Sequence, residues 1–194
     1  SCTFPDLRIG RPSLEQLLEQ LPAQDAAARD RLAAQLVALG PEGVARLADM
    51  LVEPGTGDDN NARMALHGIA VHVSRTDAEQ AGRLMYSQAV LAALDSDAAI
   101  SVKQFLLEQL RFAAGPEAVG PLGKLLLDKQ LCDPAVRILL SIKHGDVAAT
   151  LREALPKTQG RQRVAIIDAL GELQDKQAVP ILTQESYSTE RTIR

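Results

Sequence analysis

The chain has 194 residues, of which 29 are alanine, 29 are leucine and only five are aromatic. Alanine and leucine favour helices, whereas strands draw on β-branched and aromatic residues, so the composition predicts an all-α fold and argues against a sandwich or barrel. The net charge of −4 and the pI of about 5.4 give no basic surface for nucleic acid. No apolar run reaches the roughly 18 residues of a membrane span.

Helical periodicity extends along almost the whole chain, and glycine and proline mark its interruptions. Asp25 is placed to cap the first long helix, and Thr76 with Glu79 has the spacing of a capping box. In chain order, the predicted helices are Ser13–Leu21, Gln24–Leu39, Pro41–Val52, Asp59–Ser74, Thr76–Leu94, Asp97–Ala113, Pro116–Leu127, Asp133–Lys143, Asp146–Leu155, Gly160–Leu173 and Lys176–Gln184.

The helices after the first one fall into five pairs, which predict a repeat architecture. The stretch Gly40–Leu47 recurs as Gly115–Leu122, 75 residues later, which is two repeats. A single helical hairpin cannot bury its apolar faces alone, so the hairpins must stack on one another. We therefore expect one domain, a right-handed α-solenoid of about five helical hairpins. The predicted repeats are 24–57, 58–95, 96–128, 129–156 and 157–187, with 13–21 as an N-terminal capping helix and 188–194 as the start of a further repeat.

The repeats have a recognisable pattern. Asp133–Arg137 reads Asp-Pro-Ala-Val-Arg and resembles the opening of the first helix of a HEAT repeat. Arg163–Leu173, followed by Gln177–Leu182, resembles the rest of that unit, and Gly115–Leu122 resembles a second-helix opening. The resemblance covers residues 24–194 and departs most in the second repeat, where Asp-Asp-Asn-Asn stands at 58–61. It implies an α-solenoid, and HEAT arrays are mostly binding scaffolds.

The sequence contains no recognisable catalytic or metal-binding constellation. His67 and His72 are five residues apart and do not share a helix face, unlike the i, i+4 histidines of a zinc site. Cys132 is predicted to be a small buried apolar residue, and it has no second cysteine near it. The deoxyhypusine hydroxylases resemble HEAT arrays but use His-Glu pairs, and no His-Glu dipeptide occurs here. We therefore predict no enzyme activity, cofactor or metal.

Four basic residues of the second helices, Arg46, Arg83, Lys124 and Arg152, are the candidate partner-binding residues. The position of each basic residue is counted from the leading apolar residue of its helix. The four residues occupy one of two positions, and these two positions are three residues apart. Residues at that spacing share a helix face, so all four side chains are predicted to lie on the same face of successive helices. Stacking would place them in a sparse row along the concave surface, which suits an acidic peptide or protein segment. Acidic residues lie next to these basic residues, so the alternative interpretation is that the four are ordinary solvated surface residues.

The sequence favours a noncatalytic protein–protein interaction scaffold, and we expect the chain to be a fragment of a larger protein because 188–194 opens a repeat that is not completed. The alternatives are a docking or regulatory module of a multidomain enzyme and an enzyme similar to the phycobilin lyases, which also carry HEAT-like repeats. The exposed apolar face Val179–Leu182 is predicted to support self-association. A cytoplasmic location is favoured, and Cys2 keeps open an exported, lipid-anchored protein.

The buried core is predicted from the apolar stripes of the helices. Leucine and alanine are expected to provide most of the packing, because aromatic residues are few. The core positions predicted in this way are Leu47, Leu66, Leu84, Leu106, Leu122, Leu139, Leu151, Ile167 and Leu170.

Overall fold

The computed structural model describes residues 11–75, 79–143, 146–181 and 183, and these residues form helices, turns and loops with no strand among them. The described α-helices are α1 (Leu14–Leu18), α2 (Ala26–Val37), α3 (Gly40–Asp49), α4 (Asn60–Val73), α5 (Gln80–Leu94), α6 (Ile100–Leu110), α7 (Val119–Leu125), α8 (Cys132–Ser141), α9 (Asp146–Ala154) and α10 (Gly160–Glu172). Short 3-10 turns precede α7 and follow α9 and α10. The prediction of an all-α chain is confirmed.

Local capping explains several helix starts. The Asp25 carboxylate accepts a hydrogen bond from the Ala28 amide at 2.7 Å, as predicted. Ser13 and Gln16 form a reciprocal capping box at the start of α1. Asp59 precedes α4 but makes no capping bond there, because its carboxylate accepts hydrogen bonds from the Val52 amide and from Arg63 instead. Thr76, the other predicted cap, lies outside the described residues.

The helices pack chiefly against neighbours along the chain. The first helices of the predicted pairs, α2, α4, α6, α8 and α10, contact one another in succession. Among the second helices, α3 packs on α5 and α7 packs on α9, while α5 contacts the 3-10 turn that leads into α7. The short helix α1 packs against α2 and α4, and its three leucines are buried. The contacts therefore join elements that are close to one another along the chain.

Most of the predicted core is buried. Seven of the nine predicted residues are at most 1% exposed. The prediction is wrong for Leu84 and Ile167, which are half-buried. In α5 the buried stripe runs through Tyr86 and Val90, and Leu84 lies about 200° around the helix from Tyr86. In α10 the stripe passes through Ile166, so the next residue, Ile167, lies at its edge.

Helix α7 approaches α9 closely at Gly123, and substitution can test this packing. A Cβ on Gly123 would lie 2.6 Å from Cγ2 of Thr150, whereas a Cβ on Gly68, in the interior of α4, would meet nothing within 4 Å. Alanine is favoured over glycine in a helix by up to about 1 kcal/mol. We therefore expect Gly68→Ala to raise the free energy of unfolding and Gly123→Ala to lower it, because the Thr150 side chain or α9 must move. Urea denaturation of both variants measures this, and equal stabilisation would contradict the close packing.

The C-terminal part of the chain is described only in part. Val179 is 56% exposed, whereas Ile181 packs against the core. Leu182 and the predicted start of a further repeat at 188–194 lie outside the described residues. Self-association through this face therefore stays a prediction.

Candidate functional site

The structure places three of the four predicted partner-binding residues in ion pairs within the chain. Arg46 pairs with Glu15 of α1, and both side chains are more than half exposed. Arg152 pairs with Asp175, with a distance of 2.6 Å between Nη1 and Oδ2. Lys124 is exposed in the last turn of α7.

Arg83 has the most extensive set of contacts of these residues. Its Nη1 donates to the Ala113 carbonyl oxygen at 2.5 Å and to Glu117 Oε1 at 2.9 Å. The two side chains are only 23% and 17% exposed. Burial alone raises the pKa of Glu117, but the hydrogen bonds that its carboxylate accepts, first among them that from Arg83, reverse the effect and lower the pKa below its usual value. Arg83 therefore joins α5 to the turn before α7.

These contacts change how the four residues can act. Side chains that already pair with a carboxylate have a smaller net charge to offer an acidic partner, because that partner must compete with the internal acid. The spacing along each helix does not reveal the internal acids, since they come from α1 or from the following repeat. Partner binding by the four residues stays a prediction, and the structure favours a structural role for Arg83 and Arg152.

A more open surface lies on the other helices of the pairs. A groove of about 530 Å³ crosses α4, α6 and the start of α8, and we call it the first-helix groove. Its floor and walls include two phenylalanines, a methionine, a histidine and three arginines, namely Phe105, Phe112, Met64, His67, Arg63, Arg111 and Arg137. Glu108 is the acidic residue in its lining.

One wall of the first-helix groove is fixed by Arg63. Its Nε donates to Asp59 Oδ1 at 2.9 Å, and its Nη2 donates to the Val52 carbonyl oxygen at 3.1 Å. The guanidinium carbon lies 4.6 Å from the centre of the Phe105 ring, which is a cation–π contact. The hydrogen bond from Arg63 is the main reason that the pKa of Asp59 is lowered. Arg63 therefore orients Phe105 while its charge is matched by Asp59.

The centre of the first-helix groove is organised around His67. Its Nδ1 lies 3.0 Å from Oε1 of Gln109, a side chain that is only 5% exposed. The His67 ring meets the Phe112 ring edge to face, with centroids 5.6 Å apart. Gln109 therefore holds His67, and His67 in turn packs against Phe112. Preformed walls of this kind reduce the conformational entropy that a binding surface loses when a partner docks.

The first-helix groove continues toward the N-terminal end of the chain. A second hollow of about 360 Å³ lies between α2 and α4, and it shares Met64 and His67 with the groove. Its far wall is formed by Arg29 and by the loop at Leu21–Pro22. The two hollows together follow the succession of first helices from α2 to α8.

The aromatic residues are distributed unevenly. Tyr86 is fully buried, and its hydroxyl donates to the Leu66 carbonyl oxygen at 2.9 Å. Phe4 and Tyr187 lie outside the described residues. The remaining two aromatic residues of the chain, Phe105 and Phe112, are both half-buried and both line the first-helix groove.

Sequence reasoning did not identify the first-helix groove as a site, although part of its signal is visible in the sequence. Basic residues recur in the first helices, at Arg29, Arg63 and Arg137 among others. Phe105 in α6 and Phe112 in the turn directly after it are seven residues apart in the sequence, close to two helical turns. What the sequence did not reveal is the alignment of α4, α6 and α8 that brings these residues together.

The described residues give no sign of a metal centre or of a reactive thiol. No group of three or more histidine, cysteine, aspartate or glutamate side chains there could hold a metal ion. In the same ranges every helix is too short or too polar to cross a bilayer. Cys132 is buried, and burial together with the nearby carboxylates of Asp133 and Asp128 raises the pKa of its thiol to about 11. It is thus a protonated, weakly nucleophilic thiol at neutral pH.

No protein-family model, no curated protein and no solved structure matches this chain.

Proposed function

We propose that the chain is a noncatalytic protein–protein interaction scaffold in which HEAT-like helical hairpins stack as a right-handed α-solenoid. The repeat period of the sequence and the successive contacts of α2, α4, α6, α8 and α10 support this architecture. An array of this kind exposes a long surface made from equivalent helices, and such surfaces suit extended partners.

The first-helix groove is the observation that carries the proposal. Protein interfaces are enriched in aromatic residues, methionine and arginine relative to other surfaces. In a chain with only five aromatic residues, the groove collects Phe105 and Phe112 beside Met64, which is 37% exposed. Three arginines line the same groove. This composition is typical of a binding surface. The polar groups of the groove are not arranged as a nucleophile–base pair or as a metal site.

Site-directed photo-crosslinking tests the proposal. Met64 is replaced by the photoreactive p-benzoylphenylalanine, and the full chain is irradiated in an extract of cells that naturally make the protein. We expect a discrete adduct from this position, because a partner in the groove would lie beside it. Leu127, which is 49% exposed at the end of α7 and outside the groove, is the matched control position.

The specificity of the adduct decides the outcome. The Met64 adduct is expected to disappear when Phe112→Ala is added, while circular dichroism shows an unchanged helix content. Identical adducts from Met64 and Leu127, or an adduct that survives Phe112→Ala, would overturn the groove as the scaffold's binding surface.

A further inference from the structure

The charge of the first-helix groove differs from that of the whole chain. The chain carries a net charge of −4, yet the groove is lined by Arg63, Arg111 and Arg137 and by one acidic residue, Glu108. Arg63 is matched by Asp59 at 2.8 Å. Within the part of the chain that the structure describes, Arg111 and Arg137 are exposed and form no ion pair. They are therefore the cations that an incoming carboxylate can reach without displacing an internal acid.

The apolar part of the groove lies next to one of these cations. Phe105 and Phe112 are half-buried, so each ring presents part of its surface to the groove. The Arg111 guanidinium carbon lies over the Phe112 ring, 5.5 Å from its centre, so a cation contacts one of the two rings directly. A ligand that matches this pattern combines an apolar side chain with flanking carboxylates.

The arrangement of helices sets the length of such a ligand. Packed helices are about 8–10 Å apart, so the path from α4 across α6 to α8 is about 16–20 Å. An extended chain advances at most about 3.3–3.6 Å per residue, and about five or six residues span that path. Continuation into the hollow beside α2 would lengthen the contact toward Arg29.

We infer that the first-helix groove binds a short acidic segment of a partner protein, in which an aromatic or aliphatic side chain packs on Phe105 and Phe112 and flanking carboxylates pair with Arg111 and Arg137. This inference rests on the proposed scaffold function and adds the chemistry of the partner to it. The cations speed association and select against basic segments, while the apolar contact supplies most of the affinity.

Fluorescence polarisation with a defined probe tests the inference. The probe is a panel of labelled peptides of about eight residues, a length that covers the groove with margin. Each peptide has phenylalanine, tyrosine or leucine at its centre and aspartate and glutamate on both sides. One control panel replaces the acidic residues by lysine, and the other replaces the central residue by alanine. We expect the acidic, centrally apolar peptides to bind and both control panels to bind at least tenfold more weakly.

Charge reversal in the protein locates the interaction. The double variant Arg111→Glu with Arg137→Glu is expected to raise Kd at least tenfold and to remove most of its salt dependence. The matched control, Lys129→Glu with Lys157→Glu, makes the same change in net charge at two exposed residues that do not line the groove, and is expected to leave Kd within about twofold of the original chain. Circular dichroism and thermal unfolding establish that both variants fold.

The outcomes separate this inference from the scaffold proposal. Equal losses in the two double variants, equal binding of the lysine peptides, or no binding of any acidic peptide would overturn the acidic-segment inference. If a Phe112-dependent adduct still forms at Met64 in that event, the scaffold stands and its partner has other chemistry. If neither the adduct nor the peptide is seen, both proposals fail.

Discussion

Replacing Leu122 by alanine is expected to lower the free energy of unfolding by about 2–5 kcal/mol. Leu122 lies in α7 with 0% of its surface exposed, and α7 packs against both α8 and α9. Truncation removes buried methyl groups and leaves a cavity that the neighbouring helices fill only in part. The expected loss is large because Leu122 is fully buried and belongs to the hydrophobic core.

Urea denaturation followed by circular dichroism measures this change. Leu127→Ala is the matched control, because Leu127 follows α7 directly but is 49% exposed, so its truncation should cost less than about 1 kcal/mol. A loss below about half a kcal/mol for Leu122→Ala would mean that Leu122 does not lie in the core. A stack of repeats can unfold in steps, so the slope of the transition is compared as well as its midpoint.

The helical fold was predictable because its signals are local. Apolar residues at helical spacing place Leu47, Leu66 and Leu122 on buried faces, and Asp25 marks a helix start by the chemistry of its own side chain. These features depend on residues within a few positions of each other. The errors are local too: Leu84 lies on nearly the opposite face of α5 from Tyr86, and Ile167 lies at the edge of the buried stripe that passes through Ile166.

The candidate site was less predictable because it depends on contacts between helices. The spacing within α5 shows which face Arg83 leaves, but not that Glu117, 34 residues later, meets it there. In the same way, Arg152 meets Asp175 from the following turn. The first-helix groove needs the relative register of α4, α6 and α8, and no pattern within one helix contains that information.

Removing the Arg83 guanidinium by Arg83→Met is expected to lower the free energy of unfolding by about 1–3 kcal/mol, because the Glu117 carboxylate and the Ala113 carbonyl oxygen would lose a charged donor in a partly buried position. Arg46→Met is the matched control. Its pair with Glu15 is more than half exposed on both sides, so its loss should cost about 0–1 kcal/mol. Equal small losses in both variants would show that Arg83 does not join α5 to the following repeat.

The same pair predicts a pH dependence with a definite sign. Because the folded pKa of Glu117 is lower than its ordinary value of 4.5, the folded chain binds fewer protons than the unfolded chain as the pH falls below that value. The contribution of Glu117 is therefore complete above its unfolded pKa and is lost as the pH falls through the folded pKa. Arg83→Met removes the main cause of the lowered pKa, so the difference in stability between the original chain and the variant should be constant near neutral pH and shrink below about pH 4.5. Urea titrations at a series of acidic pH values measure this, and a difference that grows as the pH falls would contradict the assigned pair.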